Sequence, residues 1–274
     1  MTGDLRQLDS HFAFGENWKA FVETLSEQSI AEAVRGLAKL FPVDELRGRD
    51  FLDIGCGSGL SMLAALRLGA RSVTGIDIDP NSVEAARAVL TRHAAGQTWR
   101  TQVASVFDFA PDDGRTFDVV HSWGVLHHTG DMWPAVRKAA ALVSPRGYLA
   151  LALYRKTPLC GFWRVEKKFY TRSGAVVQAA IAAVYRGMYK VALLATGRSP
   201  AAYVSAYKSA RGMSWSHDVH DWLGGYPYES VTPLEVSSVL GELGFDEVRT
   251  FEKPAAAKGL FGSHCDEFVA VRRA

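Results

Sequence analysis

Three groups of residues in this 274-residue chain have types and spacings suited to chemistry. The first is Asp53, Gly55, Gly57 and Gly59 in LDIGCGSG, a turn between an apolar run and a helical stretch. Glycines there permit backbone angles that a Cβ forbids and let a ligand approach the main chain. The following helix adds outward N–H groups and the positive end of its dipole. Asp77 ends the next apolar run, SVTGIDI, 18 residues after Gly59. An acid at that place accepts hydrogen bonds from two ribose hydroxyls, so turn and acid together point to an adenosine-containing cofactor. The second group is His127-His128, on a loop after a strand candidate, at the carboxyl edge where open α/β folds bind ligands. Two readings stand for it: one histidine faces an acceptor and moves its proton, or one caps the next helix while the other is buried and hydrogen-bonded. The third is His217-Asp218-Val219-His220-Asp221. Its spacing suits a metal on a helix turn, but no further ligand cluster accompanies it and no metal is expected. A helix N-terminal turn with Ser216 as cap and acids complementing the dipole is the favoured account, and His217 and Asp218 remain candidates to face a pocket. Just beyond, GGYPY reads as a rigid turn whose Tyr226 either closes a pocket or returns the chain to the sheet.

The cofactor can be narrowed from the turn itself. A dinucleotide fingerprint reads GxGxxG; here the glycines run GxGxG and Leu60 takes the third place. Asp53 beside the turn disfavours a pyrophosphate and suits a cationic or ammonium-bearing ligand. S-adenosylmethionine (SAM) has a sulfonium, an amino group and no phosphate. Cys56 within the turn has no base beside it to make it a nucleophile.

These residues need a scaffold. DFLDI (50–54), SVTGIDI (72–78), TWRTQVASV (98–106), FDVVHS (117–122) and YLALALYR (148–155) read as strands alternating with helices at 60–68, 81–94 and 131–143. That alternation means βαβ units and a parallel sheet with helices on both faces. Residues 1–47 read as helical, one helix through ENWKAFVETLSEQ and a second from Ser29, its expected N-cap, with Glu32 completing a capping box. Phe12, Phe14 and Trp18 read either as a flap over the cofactor or as helix packing on the sheet. The alternation stops near residue 155 and resumes at a capped helix from 232, followed by strands at 245–252 and 264–273. The chain thus divides into 1–47, a cofactor-binding core at 48–155, an insertion at 156–231 and the closing part of the sheet at 232–274.

Composition excludes several classes. At 48% hydrophobic and 22% charged, the chain can build a core. Three scattered cysteines make neither a disulfide framework nor a zinc site. The start, MTGDLRQLDSHF, lacks a secretory apolar segment, so a cytoplasmic setting is expected. The overall charge of +2 hides a segregation: Arg155 to Arg211 holds eleven basic residues and one acid, Glu166, a net +10. Such a segment attracts anions. Its amphipathic centre, 174–197, is interrupted by Arg186 and Lys190 and is no membrane span; it suits an anionic membrane surface, a homodimer contact or a solvated face. No RNA-binding module accompanies it, so nucleic acid is not an expected partner.

LDIGCGSGL, VTGIDIDP, FDVVHSWGVLHHTGD and VSPRGYLALALY, in this order, resemble class I SAM-dependent methyltransferases. The resemblance implies an α/β, Rossmann-like seven-stranded sheet in the order 3-2-1-4-5-7-6, the last strand antiparallel, with a helical insertion after the fifth strand. It places Asp53, Gly55, Gly57 and Gly59 around the methionine part of SAM, Asp77 on the ribose, and Ile78, Ser105 and Val106 by the adenine. Ser122 and Trp123 would line the methionine end. His128 would face the acceptor, His127 would lie beside it, and the insertion, with Arg164 and Lys168, would form a lid attracting an anionic acceptor. HFAFGENW, RGMSWSHDVHDWLGGYPYE and CDEFVA are similar to a bacterial subgroup of that family acting on small molecules. The implied activity is methyl transfer to a small-molecule or lipid-linked acceptor, at oxygen by default or at nitrogen, yielding S-adenosylhomocysteine. A non-catalytic SAM- or nucleotide-binding module is the competing reading.

Overall fold

A computed structural model of the chain describes residues 25–42, 44–211, 215–253 and 259–274, with Leu5, Trp18 and Val22; the side chains of 208–211 and of His217 are outside that description, as are Phe12 and Phe14. The elements are α1 (Glu27–Leu40), β1 (Asp50–Ile54), α2 (Leu60–Arg67), β2 (Ser72–Asp77), α3 (Pro80–His93), β3 (Trp99–Val103), β4 (Phe117–Trp123), a 3-10 turn (Leu126–His128), α4 (Met132–Ala141) and β5 (Val143–Tyr154). Four helices follow: α5 (Cys160–Arg172), α6 (Ala175–Ala195), α7 (Pro200–Arg211) and α8 (Trp215–Gly224). Then come α9 (Pro233–Glu242), β6 (Phe245–Phe251) and β7 (Cys265–Arg272).

The seven strands form one sheet in the order β3-β2-β1-β4-β5-β7-β6, and β7 runs antiparallel to both neighbours. Successive residues of β1 feed opposite cores, as a period of two requires. Leu52 and Ile54 pack with Val136 of α4 and Leu240 of α9. Phe51 packs with Leu37 of α1, Leu63 of α2 and Val89 of α3. At the root of the insertion, Arg155 and Val231 pair in an isolated parallel bridge. A third, aromatic-rich core inside the insertion joins Trp163, Tyr170, Tyr207, Trp215 and Tyr228.

Three local expectations are corrected. The N-cap of α1 is Ser26, whose hydroxyl accepts from the Ser29 amide, so the helix starts one turn before the Ser29–Glu32 box. Ser216 does not cap α8, because the helix already begins at Trp215. β3 stops at Val103, short of residue 106, because Ser105 folds back: its carbonyl accepts from the Asp108 and Phe109 amides and its hydroxyl from the Phe107 amide. The capped helix expected from 232 is α9, and its cap is a capping box between Thr232 and Glu235.

Candidate active site at the carboxyl edge of the sheet

The glycine turn leaves β1 and enters α2 through left-handed backbone, with φ of 75° at Gly55, 50° at Gly57 and 75° at Gly59. Space is short as well as conformation unusual. A Cβ on Gly55 would lie 2.4 Å from a Val125 methyl, and one on Gly59 would lie 2.9 Å from the Ala86 backbone. The turn is therefore wedged between α3 and the loop after β4, the loop that carries His127 and His128.

Asp77 holds this turn from the side. One carboxylate oxygen accepts from the Gly57 amide at 3.0 Å and the other from the Asp79 amide at 2.9 Å. Burial pushes its carboxyl up to about 6, against the lowering effect of those two amides. A ribose diol needs the charged form as its acceptor. The affinity for SAM should accordingly fall about tenfold per pH unit below pH ~6 and level off above pH ~7. Calorimetric titrations across that range check this, and a flat profile would place the ribose elsewhere. Ile78, partly buried, follows Asp77; Val106 is buried and Ser105 half-buried beyond β3. Trp18 lies over the turn, its indole 3.0 Å from where a Gly57 Cβ would stand. The cradle is thus kept by glycines, edged by a carboxylate and roofed by an indole. This donor set, rich in main chain and without a phosphate-binding cation on the turn, fits an adenosyl sulfonium.

The other expected cofactor residues each have a protein partner beside the turn or at the sheet edge. Asp53 is buried beneath the turn and meets His121 Nδ1 at 2.8 Å, a pairing the sequence reading missed. Ser122 is fully buried and its hydroxyl donates to the Ile54 carbonyl at 3.0 Å, so it ties β4 to β1. Trp123 is exposed and donates to Glu267 of β7. Burial, with the Asp77 and Asp53 charges, raises the Cys56 thiol well above its ordinary range and leaves it inert.

Beyond the cradle the His127–His128 loop enters an aromatic cluster. Tyr154, at the end of β5, lies with its ring 3.9 Å from that of His127 and 5.3 Å from that of His128. It also touches Trp222 of α8 and Tyr228. His128 Nδ1 donates to the Pro227 carbonyl at 2.6 Å, which sets the lone pair at Nε2. A Cβ on Gly225 would come within 2.8 Å of that ring, so the glycine leaves it room. Tyr226 is buried beside this turn.

Arg164 and Lys168, the expected acceptor contacts, sit on the exposed side of α5, where Arg164 donates to the Tyr228 carbonyl. The residue turned inward is Lys167, fully buried, its Nζ 3.6 Å from the centre of the Trp222 ring. A helical wheel could have found it, since Trp163, Lys167 and Tyr170 share the buried stripe of α5. Burial lowers its amine and raises the adjacent Glu166 carboxyl. His127, also fully buried, is held well below its ordinary value by burial and by the His128 and Lys167 charges. Buried polar groups normally have partners. Among the described residues seven buried side-chain atoms lack a hydrogen bond; both ring nitrogens of His127, Lys167 Nζ and Trp222 Nε1 belong to this cluster, and both oxygens of Glu166 lie on the residue before Lys167. Asp218 is engaged differently, accepting from the Tyr207 hydroxyl between α7 and α8. His220 Nδ1 pairs with the Tyr170 hydroxyl at 2.6 Å. Among the described residues no group of three or more His, Cys, Asp or Glu is placed to hold a metal ion.

Comparison with known proteins gives the family and the fold. A family model described as a methyltransferase domain matches residues 25–184. A ubiquinone biosynthesis O-methyltransferase from Xanthomonas euvesicatoria pv. vesicatoria is 38% identical over 114 residues, covering 42% of this chain. The match spans 46% of that relative, so the chain corresponds to about half its length. Among solved structures, magnesium protoporphyrin IX methyltransferase from Synechocystis PCC 6803 with bound SAM aligns over 89% of this chain and 80% of its own, with 16% identity and a TM-score of 0.52. A SAM-dependent methyltransferase from Mesorhizobium loti aligns over 87% of this chain and 96% of its own, with 19% identity and a TM-score of 0.52. At these identities the structural likeness speaks to the fold.

Proposed function

The chain belongs to the class I SAM-dependent methyltransferases, and from that premise we propose that it methylates an oxygen of a small, anionic acceptor, free or lipid-linked, bound between the His127–His128 loop and the insertion. The observation that carries this reading is the contact of the glycine cradle with the loop leading into the cluster of buried polar groups without partners. The curated relatives' names as O-methyltransferases support oxygen as the attacked atom. When bound, SAM supplies a methyl group on a sulfonium, open to in-line displacement by the acceptor.

The chain's own residues bind, orient and deprotonate. Asp77 and the turn amides fix the adenosyl end, and Trp18 roofs it. Lys167 sits where a positive charge would hold an acidic group of the acceptor, with Trp222 and Tyr228 as apolar walls. His128, its tautomer set by the Pro227 carbonyl, takes the proton from the acceptor hydroxyl at Nε2. Fixing the two reactants in line supplies much of the rate. Asp218, held by the Tyr207 hydroxyl, stands further back as an element that positions α8.

Radiolabelled methyl transfer from SAM to a panel of phenolic carboxylates, with their amide counterparts as controls, tests this reading. Transfer to the carboxylates and little to the amides is expected. Tight binding of S-adenosylhomocysteine with no label transferred to any acceptor would favour a binding module. SAM should also raise the melting temperature by several degrees at saturation, and NAD should not. Protection by NAD alone would remove the cofactor assignment.

A further inference from the structure

We propose that the outward faces of α5 and α6 form a docking surface for an anionic lipid bilayer. α6 is 21 residues long, yet only Ala182 and Leu193 are buried along it. Its other side repeats Val177, Val184 and Val191 at every seventh position, with Val184 63% and Val191 65% exposed. Met188 and Leu194 lie exposed alongside. On α5, Phe162, Val165 and Phe169 are spaced by three and four residues, and Val165 is 70% exposed. These spacings put each set on one side of its helix. Two such stripes, on helices joined through Ser173 and Gly174, expose far more large apolar side chain than a soluble surface usually leaves to water.

Charge decides what covers them. The segment from Arg155 to Arg211 carries a net +10 by sequence; Arg155 and Lys156 pair with Glu252, Asp266 and Glu235 and Lys167 is buried, yet the charge left over is still strongly positive. Two copies placed face to face would bring like charges together, whereas a leaflet with anionic headgroups is complementary. Lys168 and Arg172 stand exposed beside the α5 stripe. Against α6 lies a groove of about 590 Å³ lined by Arg186, Gly187, Lys190, Val204 and Trp215. There the exposed Lys190 ammonium stands 5.8 Å from the ring of the buried Trp215, so the core holds its stem while its charge stays available to a headgroup. No described helix is long and apolar enough to cross a membrane, so the surface lies in the interfacial plane. It depends on neither the glycine cradle nor Lys167, and so stands apart from the proposed function.

Co-sedimentation of the full chain with vesicles tests it, using phosphatidylcholine alone and phosphatidylcholine with about one-third phosphatidylglycerol. At least about tenfold more protein should bind the anionic vesicles, and high salt should release most of it. The double variant V184E/V191E should lose at least tenfold of that binding while keeping the parent's circular dichroism and SAM affinity. If it does not fold, Val165→Glu with the same readouts replaces it. Absence of vesicle binding by the parent, equal binding to both vesicles, or full binding by a folded variant overturns the proposal. So does a dimer, seen by sedimentation equilibrium, that V184E/V191E abolishes while the parent ignores vesicles. A failure of SAM binding in the parent would count against the proposed function and leave the vesicle result intact.

Discussion

Replacing Asp77 with alanine should weaken SAM binding by about 10²–10⁴-fold, measured by calorimetry. The carboxylate stands at the end of β2 and already orders the cradle through the Gly57 and Asp79 amides. Bound cofactor adds two ribose hydroxyls as donors to a charged acceptor, each bond contributing about 1.5–3 kcal/mol. The substitution removes those bonds and loosens the turn that presents the main chain. Asp77→Asn separates the two effects. Its amide oxygen still accepts from one neighbour while its charge is lost, so its affinity should fall between parent and alanine variant. Retained near-ultraviolet dichroism would show that the fold survives. An affinity for the alanine variant within about threefold of the parent would exclude Asp77 as the ribose anchor.

Lys167→Met should move stability and activity in opposite directions. The ammonium is fully buried with no hydrogen-bond partner, its Nζ set over the Trp222 ring and beside Tyr228. Desolvating a charge in such a place costs several kcal/mol, which a ring face only partly offsets. Methionine fills a similar volume without that cost, so the variant should be more stable by about 1–3 kcal/mol in denaturant titration. The protonation balance supports the sign. The amine is lowered in the folded state, so folding disfavours its charged form. The resulting penalty is greatest below the folded value and shrinks as pH rises toward the unfolded one, so the advantage of methionine should shrink in parallel. The activity result should be the reverse. If Lys167 holds the acidic group of the acceptor, kcat/KM should drop by about 10–100-fold, mainly through KM, with the affinity for SAM unchanged. A lysine retained for structure alone would show lower stability in the variant and no selective rise in KM.

How much of this was legible beforehand can be judged residue by residue. The strand–helix alternation, the GxGxG turn and Asp77 are local features, written in spacings of two, three and four residues and in glycines that must reach positive φ. They were sufficient for the parallel core of the sheet and for a cofactor cradle before any contact was known. The resemblance to a family added the antiparallel last strand. Boundaries failed where a side chain redirected the main chain, as at Ser26 and Ser105.

The acceptor side was only partly visible. His127 and His128 stood out by type, and their loop does reach the cradle through Val125. Their different surroundings, one ring buried against Tyr154 without a hydrogen bond and the other tied to the Pro227 carbonyl 99 residues on, come from segments distant in the chain. Arg164, Lys167 and Lys168 are equal as charges in a sequence, and the structure leaves the two expected contacts, Arg164 and Lys168, facing water while Lys167 is buried. The rotation of α5 alone decides that Lys167 enters the core and its neighbours face water, because a helix hides about one side and packing selects which. Asp53 and Ser122 likewise owe their partners to the fold, which sets them by His121 and the Ile54 carbonyl. The sequence by itself thus determined the reaction class, since backbone conformation and residue spacing are local. Tertiary structure decided which polar groups are denied water and left without hydrogen bonds, because burial is a property of the assembled elements.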